Sequence, residues 1–399
     1  MSDFGKINDY IVGAAIKRLS AVECNPARSN QHELNGTKTM KSFLGDKADY
    51  EASFIRLDDD EDKIETLQGK VTWYDARENH PTRSEHRFYY QGNPALELAS
   101  EGDALAVILK RNNTVIFVSA PQGSQSELEL FDLFDDQVTS TFKTFDFSEK
   151  HEDLSITKRF IFEELGFEVK ASFGTDYLEV ITSRFGGLTF PKTKVFSELA
   201  RELSGNLNDF NTIDDAIIAW WDTEEAMFRQ LEGALIDIKL SEGFKDADDF
   251  LGFSQTIRQR RNSRAGNALE NHLAQLFSEK SIRYSWEPRT ENNKKPDFLF
   301  PSIEQYQDSE FPADKLTMLG VKTTCKDRWR QVLTEANRIP EKHLFTLQPK
   351  ISSNQTNEMM TSNLQLVIPN SIHATYTDEQ CKWLWDLDTF IGHVRALQS

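Results

Sequence analysis

The chain has only three cysteines in 399 residues, Cys24, Cys325 and Cys381, far apart and in no metal-type spacing. They offer neither a disulfide framework nor a zinc site, and a reducing cytoplasm is the expected location. No apolar run approaches the roughly 20 residues that a membrane-spanning helix needs. The opening residues, Met1–Lys6, lack the basic-then-apolar layout of a secretory leader. Positive charge is also scarce. Lys and Arg number 46 against 64 Asp and Glu, a net of −18, which weighs against a polyanionic partner. What remains is an ordinary globular composition, 38% hydrophobic and 28% charged, long enough for two or three domains.

The deficit of positive charge is uneven. Between Thr256 and Phe345 there are 16 Lys/Arg against 12 Asp/Glu, a net of +4 that leaves −22 on the remainder. Local field, not the total, steers a charged partner. The first third has short apolar or alternating runs, Lys70–Tyr74, Arg87–Tyr90, Ala104–Leu109 and Thr114–Val118, separated by turn residues. Their spacing predicts a β-barrel or sandwich. The acidic run Asp58–Asp62 reads as a solvated loop, and residues 121–155 as a linker or loosely packed helix. Adjacent glycines at Gly186 and Gly187 mark a candidate hinge, placing domains at 1–182 and 183–399.

Ile217, Trp220, Trp221, Phe228, Leu231, Leu235 and Ile238 recur near a 3.6-residue period, so residues 190–255 are expected to be helical. From 264 onward an amphipathic helix precedes extended runs at Ile282–Trp286, Asp297–Phe300 and Thr317–Lys322. A helix over about 327–338 is expected next, then runs at Leu344–Leu347 and Leu364–Ile368. This order predicts an α/β unit with a mixed central sheet, an α+β arrangement in the chain as a whole.

Two charged side chains flank apolar strands in that unit, one opening a strand and one ending another. Asp297 follows Pro296, and Lys322 stands 25 residues later. Such groups are costly to bury unless they pair or serve a purpose. Phosphodiester hydrolysis needs both: carboxylates to hold a hard divalent cation, and a lysine to orient water and offset phosphate charge. The frequent second acid, two positions before the lysine, is here Gly320. Glu335, 13 residues after Lys322, is the candidate replacement, on a helix face shared with Arg328. A structural ion-pair network of Asp297, Lys322 and Glu335 is the alternative.

The strings Arg261–Gly266, Asn293–Ser302, Val321–Gln331 and His343–Gln348 resemble the catalytic domain of the EcoRII-type restriction endonucleases. The resemblance implies a C-terminal PD-(D/E)XK fold whose last acid has migrated to the following helix. It also implies Mg²⁺ held by Asp297 and Glu335, and a further active-site acid at Glu270. Duplex DNA carrying 5′-CCWGG would be cut to leave 5′-phosphates. Lys326, Asp327 and Arg328 would read its C·G pairs, chemistry open to these side chains at guanine and cytosine edges. A solvated charged turn capped by Asp327 is the alternative. Arg258, Arg260, Arg261 and Arg264 would add DNA contacts, although Asn262 stands where the family has a lysine.

Tyr10–Ile11, Lys17–Ser20 and Thr82–Arg87 resemble the family's effector-binding domain, an N-terminal β-barrel of the B3 DNA-binding type. His32 on one arm and Arg83, Glu85, His86 and Arg87 on the other would grip a second copy of the site. A salt-bridged surface strand is the alternative. Pro81 and His86 replace family lysines. The family logic implies autoinhibition released by effector DNA. A homodimer would match the two-fold site, with residues 205–240 a candidate interface. The competing function is a DNA-binding protein on this scaffold that has lost cleavage.

Overall fold

The computed structural model describes residues 6–24, 32–60, 64–134, 139–147, 161–162, 165–167 and 175–399. The chain divides into two compact units, Asp3–Ser172 and Phe173–Ser399.

The first unit is built on one eight-stranded sheet. Its strands are β1 (Ile11–Arg18), β2 (Glu33–Asn35), β3 (Ala48–Arg56), β4 (Glu65–Asp75), β5 (His86–Tyr90), β6 (Ala104–Lys110), β7 (Thr114–Ala120) and β8 (Lys143–Asp146). They lie in the order β2-β5-β4-β3-β7-β6-β1-β8, antiparallel except between β3 and β7. Among the described residues the edge strands β2 and β8 do not pair with each other, so the sheet is not closed into a barrel by that ladder. One face packs around Trp73, Phe88, Phe54 and Phe117, and the other around Ile16, Ile108, Ile116 and Phe162. Burial on both faces explains why β6 and β7 read as continuous apolar runs without alternation.

Two expectations for this unit change. Asp59, in the supposedly solvated acidic run, accepts hydrogen bonds from the Gln125 and Ser126 amides at 2.9 Å each. These open the helix Gln125–Asp132, whose orphan N–H groups need an acceptor. The stretch expected as a linker or loosely packed helix carries that helix and also β8, with Phe134 and Phe147 buried.

The second unit begins with a helical layer. Gly186, expected as a hinge, instead ends the helix Leu178–Phe185 in the left-handed conformation at φ 77°. Thr193–Ser204, Ile213–Glu242 and Ala247–Glu279 follow as helices, the last two capped by Thr212 and Asp246. Phe196, Leu199, Met227, Phe228 and Leu231 form the layer's core. Much of the segment considered as an interface is therefore inside its own unit, from Ile213 to Glu232.

Against this layer stands a five-stranded mixed sheet in the order β13-β12-β11-β10-β9. Its strands are β9 (Ser285–Trp286), β10 (Phe298–Phe300), β11 (Thr317–Val321), β12 (Lys342–Phe345) and β13 (Leu364–Val367). β9, β10 and β11 pair antiparallel, and β11, β12 and β13 parallel. Asp214 joins helices to sheet end, accepting from the Asn370 amide at 2.9 Å and the Leu387 amide at 3.2 Å. Among the described residues no helix is long and apolar enough to cross a membrane.

Replacing Asp59 with Ala should remove about 1 kcal/mol of stability, the usual worth of a helix cap. Urea denaturation followed by circular dichroism measures this; an unchanged midpoint would reduce Asp59 to a surface acid.

Candidate active site

The site lies where β10 and β11 meet. The pairing Phe298 to Leu319 brings Asp297, just before β10, level with the end of β11. Asp297 Oδ2 accepts from the Val321 amide at 2.6 Å and lies 3.3 Å from Lys322 Nζ. The carboxylate is thus fixed by backbone as well as by charge.

Gly320 is two residues before Lys322 and has no room for an acid. A Cβ there would stand 2.8 Å from Val332 Cγ2 and 3.0 Å from Cγ1. The helix carrying Val332 is shorter than expected: one 3-10 turn, Lys326–Arg328, and one α turn, Trp329–Val332. Glu335 follows it in a turn whose amide bonds the Val332 carbonyl at 3.1 Å. The shared helix face with Arg328 therefore does not form. Glu335 nevertheless points inward, 9% exposed.

Burial raises the Glu335 carboxyl to about 7, Asp297 adds to the rise, and Lys322, Lys294 and Lys342 oppose it. Glu270, on the Ala247–Glu279 helix, is likewise raised to about 7 by burial and then by Asp297. The Trp286 indole, donating to Glu270 Oε2 at 3.0 Å, and Lys322 pull the other way. Asp297 and Lys322 thus both act on the Glu335 and Glu270 carboxyls. Lys342 and Trp286 were missed; Lys342 is buried at the start of β12, a charged residue opening an apolar strand as Asp297 does.

Among the described residues no three His, Cys, Asp or Glu side chains group closely enough to form a metal cluster as they stand. A hard cation such as Mg²⁺ keeps several waters and takes one or two protein carboxylates. Asp297 and Glu335 fit that requirement: Glu335 Oε2 is buried without a hydrogen-bond partner among the described residues, an oxygen that a cation would satisfy.

The remaining expected residues divide. Arg328 is exposed, whereas Lys326 is buried at φ 24°; the Asp327 side chain lies outside the described residues. The turn is anchored by Gln348 Oε1, which accepts from the Cys325 amide. Arg264 is not presented to solvent. It lies against the Phe228 ring, 4.3 Å from its centroid, and pairs with the interior Glu225. Arg261 pairs with buried Glu232 at 2.6 Å. Both arginines neutralise glutamates of the neighbouring helix, and a buried carboxylate without a partner would be far costlier.

In the first unit His32 and Arg83 are exposed. Glu85 and Arg87 pair with each other, Glu85 also with Arg77, and Arg87 also with Glu33 at 2.6 Å. His86 is buried, its ring stacked 5.0 Å from Trp73. His86 thus belongs to the core, and Glu85, just before β5, and Arg87 on it are engaged in ion pairs, whereas Arg83 lies before the strand.

The geometry is that of a mixed α/β domain with an acid–lysine centre at one sheet end. Residues 228–391 match the family model described as EcoRII C terminal. The match spans less than half of the chain. The type II restriction enzyme EcoRII of Escherichia coli is 47% identical over 166 residues, 41% of this chain and 41% of that enzyme's length. Two solved structures also align. Metal-depleted Ecl18kI in complex with uncleaved, modified DNA is 20% identical over 55% of this chain and 83% of its own, with a TM-score of 0.42. A PspGI–substrate DNA complex is 14% identical over 57% and 98%, with a TM-score of 0.43.

Glu270 and Glu335 give the metal-free protein a pH dependence. With folded values near 7 against an ordinary 4.5, the native state holds protons that the unfolded chain releases. That stability is complete below pH 4.5 and is lost as pH rises through about 7. Denaturation midpoints in a chelator should fall across this window, and Glu335→Gln should flatten the fall. Parallel profiles for both proteins would mean that Glu335 does not bury a proton.

Proposed function

We propose that the chain is a Mg²⁺-dependent type II restriction endonuclease acting as a homodimer on duplex DNA at 5′-CCWGG. The observation that carries this reading is the unpartnered buried oxygen of Glu335 beside Asp297 and Lys322. When bound, Mg²⁺ would polarise the scissile phosphate and lower the pKa of a coordinated water. Asp297 and Glu335 would hold it, and Glu335 must first surrender its proton, so metal affinity rises with pH through about 7. Lys322 Nζ would orient the attacking water and offset charge on the phosphate. Glu270, uncharged in a large fraction of molecules near neutrality, would carry a proton at the rim.

Specificity would come from the turn after Lys322. Exposed Arg328 can donate to guanine O6 and N7, with Asp327 its neighbour for cytosine N4. Lys326 would reach DNA only if its turn rearranged on binding. In the first unit, exposed His32 and Arg83 are the residues best placed to meet a second copy of the site, in a domain of the B3 type. That unit would restrain the nuclease until effector DNA is bound, a coupling of two sites. The excess negative charge outside Thr256–Phe345 would let it compete with DNA for a basic surface.

Plasmid carrying several CCWGG sites should be cut by the wild type with Mg²⁺ and left intact by Lys322→Ala, with fragment ends mapping to that site. Binding without cutting by the wild type would identify a DNA reader that has lost cleavage; cutting elsewhere would discard the inherited site. Deleting residues 1–172, which spares the packed helix Leu178–Phe185, should raise cleavage of single-site DNA several-fold. Unchanged or lower activity would remove autoinhibition from the reading.

A further inference from the structure

The helices Ile213–Glu242 and Ala247–Glu279 pack into the unit over only part of their length. Along the first, burial ends at Glu232; along the second, it begins at Arg264. None of the residues described in between is buried. At 1.5 Å per residue, the outer part of the pair forms an arm of roughly 20 Å.

The tip of this arm is built. Lys239 pairs with Asp249 at 3.0 Å, and Asp246 caps the second helix. Phe244 packs edge-on to Phe250 with centroids 5.1 Å apart and also meets Phe253. Yet the arm has no core of its own. Ile238, Leu240, Phe250 and Leu251 are 44–59% exposed. They are four of the twelve exposed large hydrophobics among the described residues, within 14 positions. Helices without tertiary packing are marginal in water, so this arm calls for a partner.

Its outer face says which. Asp248, Leu251, Gly252, Gln255, Arg258 and Gln259 recur at helical spacing and are all exposed. A Cβ on Gly252 would meet nothing within 4 Å, so nothing in the chain requires glycine there. In an exposed helix glycine costs about 1 kcal/mol relative to alanine; close approach of another helix gives it a use. Charge is split along the face. Glu242, Asp246, Asp248 and Asp249 crowd the tip, while no acid occurs from Phe250 to Leu269 and Arg258 stands on that stretch.

We propose that this face joins a second copy of the chain, antiparallel, across a two-fold axis near residue 253. Asp248 of each copy then faces Arg258 of the other, and Leu251 covers Gly252 and Gln255. A parallel copy would oppose like charges at both ends. A nucleic acid would meet the four tip acids beside a single well-exposed arginine. The inference deepens the homodimer in the reading above and rests on it for the two-fold, while remaining independent of cleavage chemistry.

The test is sedimentation equilibrium of the full chain without DNA or metal, with circular dichroism confirming that each variant is folded. The wild type should sediment at twice the 45.8 kDa chain mass. Leu251→Asp, Asp248→Arg and Arg258→Asp should each raise the dissociation constant at least about tenfold. Combining Asp248→Arg with Arg258→Asp rebuilds the pair in reversed sense and should restore the wild-type constant. A monomeric wild type overturns the proposal, as do single variants that stay dimeric. Arg258→Asp that loses DNA retention on a gel while remaining dimeric would make the face a nucleic-acid contact. Lys322→Ala should leave the mass unchanged, so failure of the nuclease reading and failure of this one are separable.

Discussion

The close approach of Val332 to Gly320 dictates the layout of the site. With 2.8 Å between the valine methyl and any Cβ on the strand, no carboxylate fits two residues before Lys322. The acid must arrive from beyond the helix, and Glu335 does so through the turn closed on the Val332 carbonyl. The same packing that displaces the acid also buries it. Trp329 and Val332 are wholly enclosed, so Glu335 enters a low-dielectric space already holding Asp297, and its affinity for a proton rises. Geometry and electrostatics at this centre have one cause.

The helical layer handles charge in the opposite way. Glu224, Glu225 and Glu232 are almost fully buried on one helix. Glu225 pairs with Arg229 at 2.8 Å and with Arg264, and Glu232 with Arg261 at 2.6 Å. Glu224 lies 3.1 Å from His272, whose pKa burial lowers. Arg201 reaches the other ring nitrogen of His272 at 3.0 Å. Breaking a buried pair of this kind strands an uncompensated charge, typically at a cost of about 3–5 kcal/mol. The layer is thus specified by polar matching as much as by its apolar core. At the sheet end Glu335 Oε2 has no such partner among the described residues, and burial raises its carboxyl to about 7.

Sequence patterning located the helical region, β4–β7 of the first sheet, all five strands of the second, and Asp297, Lys322 and Glu335, because apolar periodicity and charged residues flanking apolar runs are local signals. Glu270 came from the resemblance alone, and patterning missed β1, β2, β3 and β8. It failed where a residue's partner lies far away along the chain. Arg261 and Arg264 form a basic cluster on paper, but their glutamates stand 29 and 39 positions earlier. His86 sits among charged neighbours, and only the register of β4 against β5 puts it beneath Trp73. Asp59 belongs to an acidic run, and its role as a cap depends on a helix 66 residues later. The helix expected over 327–338 stops after Val332 because the chain turns there, with Ala336 at φ 47°, to bring Glu335 inward.

One helix connects these features. Ala247–Glu279 starts at the exposed arm, passes through the arginines that neutralise the buried glutamates, carries Glu270 into the site and ends with Phe277 packed on Phe298 and Phe300 of β10. From Leu251 to Glu270 is about 30 Å of continuous helix. No proline interrupts it, and its middle is held by ion pairs, so it behaves as a rod and not as a hinge. A rod fixed at its far end limits how Glu270 can tilt toward Asp297, and a free one relies on the Trp286 bond and the core alone. Anything that grips the arm therefore bears on the position of Glu270, whose carboxyl feels Asp297 and Lys322, through a single element of secondary structure.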